Sequence, residues 1–378
     1  MIDLSVQRRL GNTALTIGPL GNLYTAVSET DAEATLASTE LNSIRWFDVA
    51  PLYGYGLAEE RLGRYLRRAP SKHRIISTKV GGLLEPAPTA PNDPHFVAPL
   101  AYRPVFNYSR EGIERSYEKS LGRLGLDRVD ILLLHDVDRL THTVGHRALV
   151  RLLLDEALPT LQRLKNEGRV TAIGLGINEW DIGYEILASA EIDCVLLAGR
   201  FTLLDHTAFV SGFLDTCARR SMSVLAGGVF NSGFLVGGAN YNYKIADESL
   251  VRKREHIGSR CQEYGVALPA AALQFTAAHP AITSIVVGAR NHRRDTITYR
   301  VESRQGACRI VGSTPCGRFN SDRCSHGAIV PRSPKLGTSG ERNLTGCKPL
   351  PHNASCQRRL GIFELVHPQA SDAGQQHL

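Results

Sequence analysis

Four polar residues of this chain stand at the ends of apolar runs, and their types suit proton transfer at oxygen. Asp48 closes Arg45-Trp46-Phe47-Asp48, and Tyr53 follows in Ala50-Pro51-Leu52-Tyr53-Gly54. Lys79 closes Ile75-Ile76-Ser77-Thr78-Lys79, and His135 closes Ile131-Leu132-Leu133-Leu134-His135. A phenol with its ordinary pKa of about 10 is a poor base at neutral pH. An ammonium beside it favours the phenolate and lowers that pKa. Asp48 would hold the Lys79 head by an ion pair, and His135 would hydrogen-bond the reacting oxygen. Tyr53 would then carry a proton to or from an alcohol or carbonyl. The set has no strong carbon nucleophile and no evident metal site, so the electrons need a separate carrier such as a nicotinamide. Taken singly, each residue has an ordinary structural use: a core histidine, a snorkelling lysine, a capping aspartate, a loop tyrosine. The four together, on successive strand ends, carry the argument.

The elements that must position them alternate. Strands are predicted at Trp46–Val49, Arg74–Val80, Val129–His135, Thr171–Gly176, Cys194–Ala198, Ser223–Gly227 and Ser284–Gly288. Their continuous Ile, Val and Leu content suits parallel strands covered on both faces. Helices are predicted at Thr30–Leu41, Ala58–Arg68, Arg110–Leu124, Ala148–Glu167, Asp181–Ala190, Thr207–Arg220 and Ala246–Tyr264, with Gly125 and Gly168 as stop residues for two of them. A short strand near Leu15–Gly18 brings the count to eight, which favours a (β/α)8 TIM barrel of the α/β class over an open doubly wound sheet. In such a barrel the four polar strand ends share one rim. The Pro-rich segment Gly81–Asn107 reads as a long loop on that rim, where it would shape a substrate site.

Composition narrows the class further. With 378 residues, 43% hydrophobic and 21% charged, the chain can bury a sizeable core, which excludes disordered, collagen-like and disulfide-framework proteins. The net charge of +7 is not spread evenly. Residues 1–290 carry 31 basic and 31 acidic side chains, whereas residues 291–378 carry 13 and six. Cysteine divides in the same way: Cys194, Cys217 and Cys261 precede the boundary, five more follow it, and no CxxC occurs. No secretory leader and no long apolar span is present, so a cytoplasmic protein with no membrane partner is the expectation. Two domains are therefore expected, a barrel over 1–290 and an atypical basic tail over 291–378. The tail begins where an eighth barrel helix should, and its eleven Arg against two Lys suit out-of-frame translation. A disordered extension and a zinc module are the other readings; Cys308, Cys316 and Cys324 lack the short spacing of zinc ligands. The tail has no interleaved aromatics, so nucleic acid is set aside as a partner.

The motifs resemble those of the aldo-keto reductases. The resemblance rests on Phe47-Asp48-Val49-Ala50-Pro51-Leu52-Tyr53-Gly54 with Glu59 and Leu62-Gly63, on Ser77-Thr78-Lys79, and on Leu133-Leu134-His135-Asp136. It spans roughly residues 8–290. Gly18-Pro19-Leu20-Gly21-Asn22-Leu23-Tyr24, Ala198-Gly199-Arg200-Phe201 and Gly227-Gly228-Val229-Phe230-Asn231-Ser232-Gly233 look like the bacterial branch with L-fucose (D-threo-aldose 1-) dehydrogenases.

That resemblance implies a (β/α)8 barrel that binds NAD or NADP without a Rossmann domain. It implies a catalytic tetrad of Asp48, Tyr53, Lys79 and His135, with Tyr53 as acid/base. Asn178 would contact the nicotinamide carboxamide, and Phe230, Ser232 and Gly233 would line the pyrophosphate path. Gly288 and Arg290 would meet the adenosine phosphate end, where an Arg can hold a 2′-phosphate by paired bonds. The chain departs from the family at Ser43, commonly Gly, at Ala198, often Gln, and at Gly227, often a nicotinamide-stacking Tyr. Beyond Arg290 the family's last helix, with its adenine-contacting Glu-Asn pair, has no counterpart in Asn291-His292-Arg293-Arg294.

The expected activity is oxidation of an aldose such as L-fucose at C1, with no metal. The alternatives are turnover of another carbonyl substrate, for example a pyridoxal-type aldehyde, and a non-catalytic, cofactor-binding regulatory subunit. Oligomeric state is left open.

Overall fold

The structure is a computed structural model, and it describes residues 18–41, 44–69 and 74–288. Ser43, Arg290, the tail over 291–378 and most of the expected first strand lie outside the described residues. Of that first strand only Gly18 is described, and it opens a 3-10 turn, Gly18–Gly21.

Among the described residues, seven strands form one parallel sheet: β1 Trp46–Asp48, β2 Ile75–Val80, β3 Ile131–His135, β4 Ala172–Ile177, β5 Cys194–Ala198, β6 Ser223–Gly227 and β7 Ile282–Ile285. Their order in the sheet is their order in the chain. A doubly wound sheet reverses order at a switch point, whereas a (β/α)8 barrel runs on in sequence. The sheet also curls. Trp46 of β1, Ile131 and Leu133 of β3, Cys194 and Leu196 of β5 and Leu225 of β6 share one buried cluster. Ile75 of β2 and Val286, just past β7, pack against it. First and last strands meet around one core only if the sheet bends back on itself.

Helices cover the outer face of the sheet, and their ends follow local chemistry. Arg110–Leu124 starts at Ser109, whose side chain accepts from the Gly112 amide, and stops at Gly125 in the left-handed region at φ 67°. The Gly125 amide closes that end on the Leu121 carbonyl at 2.8 Å. Several predicted elements differ from those observed. The helix expected over Thr207–Arg220 is two pieces, Thr207–Val210 and Phe213–Arg219, because Gly212 at φ 76° breaks it. The helix expected over Ala148–Glu167 starts earlier, at His146, and carries a π turn at Leu153–Ala157. The last strand is shifted to Ile282–Ile285, so Gly288 lies beyond its end.

The rim segment is not all loop. Gly82–Pro86 pairs antiparallel with Tyr102–Phe106, and residues 87–101 form the connection. A second hairpin, Asn240–Tyr241 with Lys244–Ile245, rises after β6. An Ala-rich helix, Leu268–Ala277, precedes β7.

Candidate active site

Side chains alternate along a strand, so every second residue faces the barrel interior. Trp46 and Asp48 point inward from β1, as do Ser77 and Lys79 from β2 and Leu133 and His135 from β3. Of these, Asp48, Lys79 and His135 sit at or next to the C-terminal ends of their strands, as barrel sites do. Lys79 Nζ donates to Asp48 Oδ2 at 2.7 Å and to the Val49 carbonyl at 2.9 Å. The other Asp48 oxygen accepts from Ser77 Oγ at 2.6 Å, and Ser77 Oγ accepts from Trp46 Nε1 at 3.0 Å. Asp48 and Lys79 are essentially sealed from solvent at 1% and 0%. A buried ion pair is tolerable only with its remaining partners satisfied, and here they are.

Tyr53 enters from the turn between β1 and the helix Leu57–Arg68. Its carbonyl accepts from the Ala58 amide at 3.2 Å, which fixes the backbone that carries the phenol. The Lys79 ammonium lies 4.4 Å from the Tyr53 ring centroid. The His135 ring meets Tyr53 edge-on at 5.7 Å. The structure therefore brings Asp48, Tyr53, Lys79 and His135 together.

The charge states follow from burial. Burial disfavours the Lys79 charge, but Asp48 and Tyr53 outweigh it, and the ammonium stays protonated far above neutrality. Burial and the Lys79 charge hold His135 well below its usual value, so it is neutral. Tyr53 departs from the sequence argument. Lys79 does pull its pKa down, but burial pushes it up by more, with help from Asp48 and Asp136, and the net shift is upward. At neutral pH the phenol keeps its proton. Sequence alone shows the neighbour's charge and hides the loss of solvent.

These groups open into a cavity of about 830 Å³, at the large end of small-molecule sites. The rim connection supplies one wall. Asp93 accepts from the His95 and Phe96 amides at 2.7 Å, and this turn sets the Phe96 ring 6.5 Å from that of Tyr53. The opposite side is formed by strand ends without side-chain bulk: Gly176, Ala198 and Gly227 all line the cavity. A Cβ added at Gly227 would approach Leu196 Cδ2 to 3.2 Å.

Asn178 follows β4 and lines the cavity, with its amide N–H on Asp138 Oδ2 at 2.6 Å and its side-chain Nδ2 on Asp136 Oδ1 at 3.1 Å. Phe230, Ser232, Gly233 and Gly288 also line the cavity, and Arg290 lies outside the described residues. Ser232 Oγ accepts from the Tyr243 amide at 2.9 Å and from Tyr24 Oη at 3.3 Å, which ties the second hairpin to the opposite rim. The Tyr243 hydroxyl reaches Asn178 Oδ1 at 3.4 Å. Asn231 Oδ1 is buried with no partner among the described residues.

Three residues here were not assigned from sequence: Asp136, Asp138 and Tyr243. Asp136 falls in the Leu133-Leu134-His135-Asp136 motif, where nothing in its own position marks it out. Tyr243 sits in a turn with no periodic pattern to flag it.

This barrel and site place the chain among known oxidoreductases: it belongs to the aldo/keto reductase family, whose family-wide pattern matches residues 14–300. It is 39% identical to pyridoxal 4-dehydrogenase of Microbacterium luteolum over 315 residues, covering 77% of this chain and 91% of that protein. It is 36% identical to D-threo-aldose 1-dehydrogenase of a Pseudomonas species over 279 residues, covering 71% and 82%. Among solved structures, the holo form of an aldo-keto reductase from Bacillus halodurans superimposes with a TM-score of 0.58 at 19% identity, over 77% of this chain and 86% of that one. Glycerol dehydrogenase of Gluconobacter oxydans gives 0.59 at 18% identity, over 82% and 94%. At such identities these two speak for the fold alone. Among the described residues, no helix is long and apolar enough to cross a membrane.

Aldo-keto reductases use NAD or NADP, and the residues present fit such a group. The cavity is large, its floor beside Asn178 is bare, and backbone at Gly228 and Gly233 takes left-handed φ values of 61° and 89°, which clear side chains from the approach to Phe230 and Ser232.

Proposed function

We propose that this oxidoreductase removes the C1 hydroxyl proton and the C1 hydride of an aldose such as L-fucose, giving the aldonolactone, with Tyr53 as acid/base and the nicotinamide as hydride acceptor. The observation that carries the reading is the buried Asp48–Lys79 pair set beneath the Tyr53 ring, with neutral His135 beside it. Asn178, with Phe230, Ser232 and Gly233, would hold the cofactor, and Gly288 and Arg290 would serve its adenosine end. When bound, the nicotinamide supplies the hydride acceptor or donor. Tyr53 takes the proton from the C1 hydroxyl as the carbon gives up its hydride. Lys79 stabilises the phenolate that must form for this step, and Asp48 holds Lys79 in place. His135, neutral, hydrogen-bonds the same substrate oxygen. Phe96 and its connection exclude water from one side. In the reverse direction the protonated Tyr53 gives its proton to a carbonyl oxygen.

The similarity to pyridoxal 4-dehydrogenase supports a second reading, oxidation of a pyridoxal-type substrate by the same groups. Initial rates with L-fucose and with pyridoxal, each with NAD and with NADP, separate the two. The first reading expects the larger kcat/KM for the sugar. A larger value for pyridoxal overturns it in favour of the second.

A further inference from the structure

We propose that Asp136 is a substrate-binding residue that accepts a hydrogen bond from a hydroxyl on the carbon next to the reacting one, which makes the site selective for vicinal polyols. This rests on the aldose reading above and names its specificity determinant. Strand alternation would send the residue after inward-facing His135 to the outside of the barrel. Asp136 instead adopts φ 50°, in the left-handed region that Asp tolerates better than most residues. Its amide N–H donates to the Gly176 carbonyl at 2.8 Å, and its side chain turns back to line the cavity with Tyr53, His135 and Asn178.

The carboxyl is poorly satisfied there. Its Oδ1 accepts from Asn178 Nδ2 at 3.1 Å and lies 3.7 Å from His135 Nε2, too far for a hydrogen bond. Among the described residues, Oδ2 accepts nothing. The side chain is 24% exposed, and that exposure opens into the cavity. Burial and the neighbouring Asp138 raise its pKa to about 7, against the pull of Lys79 and Asn178. A carboxylate so short of donors calls for one from the ligand.

The ligand group it suits follows from position. Asp136 Oδ1 lies 3.7 Å from His135 Nε2 in the cavity that Tyr53 also lines, so a hydroxyl vicinal to an oxygen held by His135 would come within reach of the carboxylate. A neutral sugar hydroxyl donates to that carboxylate. An ionised phenol beside an aldehyde meets it with like charge, so the same residue disfavours a pyridoxal-type ligand.

The test is kcat/KM for L-fucose and for its 2-deoxy analogue at saturating cofactor, in the unaltered protein, Asp136→Asn and Asp136→Ala. The unaltered protein should prefer L-fucose by roughly ten- to a hundredfold, the worth of a hydrogen bond to a charged group. The preference should shrink to about threefold or less in Asp136→Ala, with Asp136→Asn between. Because it is a ratio on one protein, a general loss of folding or cofactor affinity does not move it. Equal kcat/KM for the two sugars in the unaltered protein, or an unchanged ratio in both variants, overturns the Asp136 assignment alone. Turnover of neither sugar overturns the aldose reading and this proposal together.

Discussion

The two halves of the barrel rim are built on opposite plans. Along β1 and β2 the chain places charged and hydrogen-bonding side chains that hold one another, Trp46 on Ser77, Ser77 on Asp48 and Lys79 on Asp48, and β3 ends on His135, packed edge-on against Tyr53. At the ends of β4, β5 and β6 it places Gly176, Ala198 and Gly227, and leaves room. The first half fixes atoms that must do chemistry. The second leaves a floor of backbone bordered by loop residues such as Ser232 and Tyr243, which the proposed reading gives to the nicotinamide. Substitutions should therefore act differently in the two halves: on turnover and stability in one, on cofactor affinity in the other.

The largest effect is expected from Lys79→Met. It strands the buried Asp48 carboxylate without its counter-ion, which costs about 3–5 kcal/mol of stability. Turnover should fall by about 10²–10⁴ as the phenolate loses its neighbour. Thermal unfolding beside steady-state kinetics checks both; a variant as stable and active as the parent breaks the contrast between the halves. Gly227→Val is the matching change on the open side. Its added bulk meets Leu196 Cδ2, 3.2 Å from the Cβ position. Cofactor Kd, read by fluorescence titration, should rise about tenfold or more, corresponding to about 1.4 kcal/mol. Overpacking against Leu196 should cost about 1–3 kcal/mol of stability, less than the loss in Lys79→Met, and unchanged affinity would show that the bare floor is not where the cofactor rests.

Asp136→Asn sharpens the comparison through pH. An Asp with a pKa of about 7 in the fold and about 3.9 unfolded favours the protonated folded state. Its cost is absent below about pH 4, grows as the pH rises towards 7, and is complete above that. Asp136→Asn should therefore be more stable than the parent at pH 8, by about 2–4 kcal/mol at most, and indistinguishable from it near pH 4. Melting curves at the two pH values check this; a pH-independent difference contradicts it. A residue that costs the fold stability at working pH fits a site selected for binding.

Much of this was legible in the sequence because parallel strands buried on both faces read as unbroken apolar runs. Cys194–Ala198 and Ser223–Gly227 have the bounds their residues suggested. Asp48, Lys79 and His135 were readable because a strand end fixes both place and direction. Other features lacked such a signal. Leu268–Ala277 buries Ala270, Ala271, Ala272, Leu273, Phe275 and Thr276, so it has no broad polar face to reveal a helical period. The hairpin Gly82–Pro86 with Tyr102–Phe106 is hidden by prolines and a long connection. Asp136 carries no such signal, because strand alternation directs it away from the interior and one left-handed φ overrides that rule. The pKa of Tyr53 depends on burial, which only the packed structure provides.

The central claim is that Tyr53 moves the proton in a site whose other half binds the cofactor independently. It is tested most directly by Tyr53→Phe, with cofactor affinity by fluorescence titration and L-fucose oxidation followed from pH 6 to 10. The parent should oxidise faster as the pH rises, because burial holds the phenol protonated at neutrality. Tyr53→Phe should bind cofactor within about twofold of the parent, lose about 10²–10⁴ in turnover and lose the alkaline rise. Turnover within a few fold of the parent, with the same pH profile, would contradict the assignment.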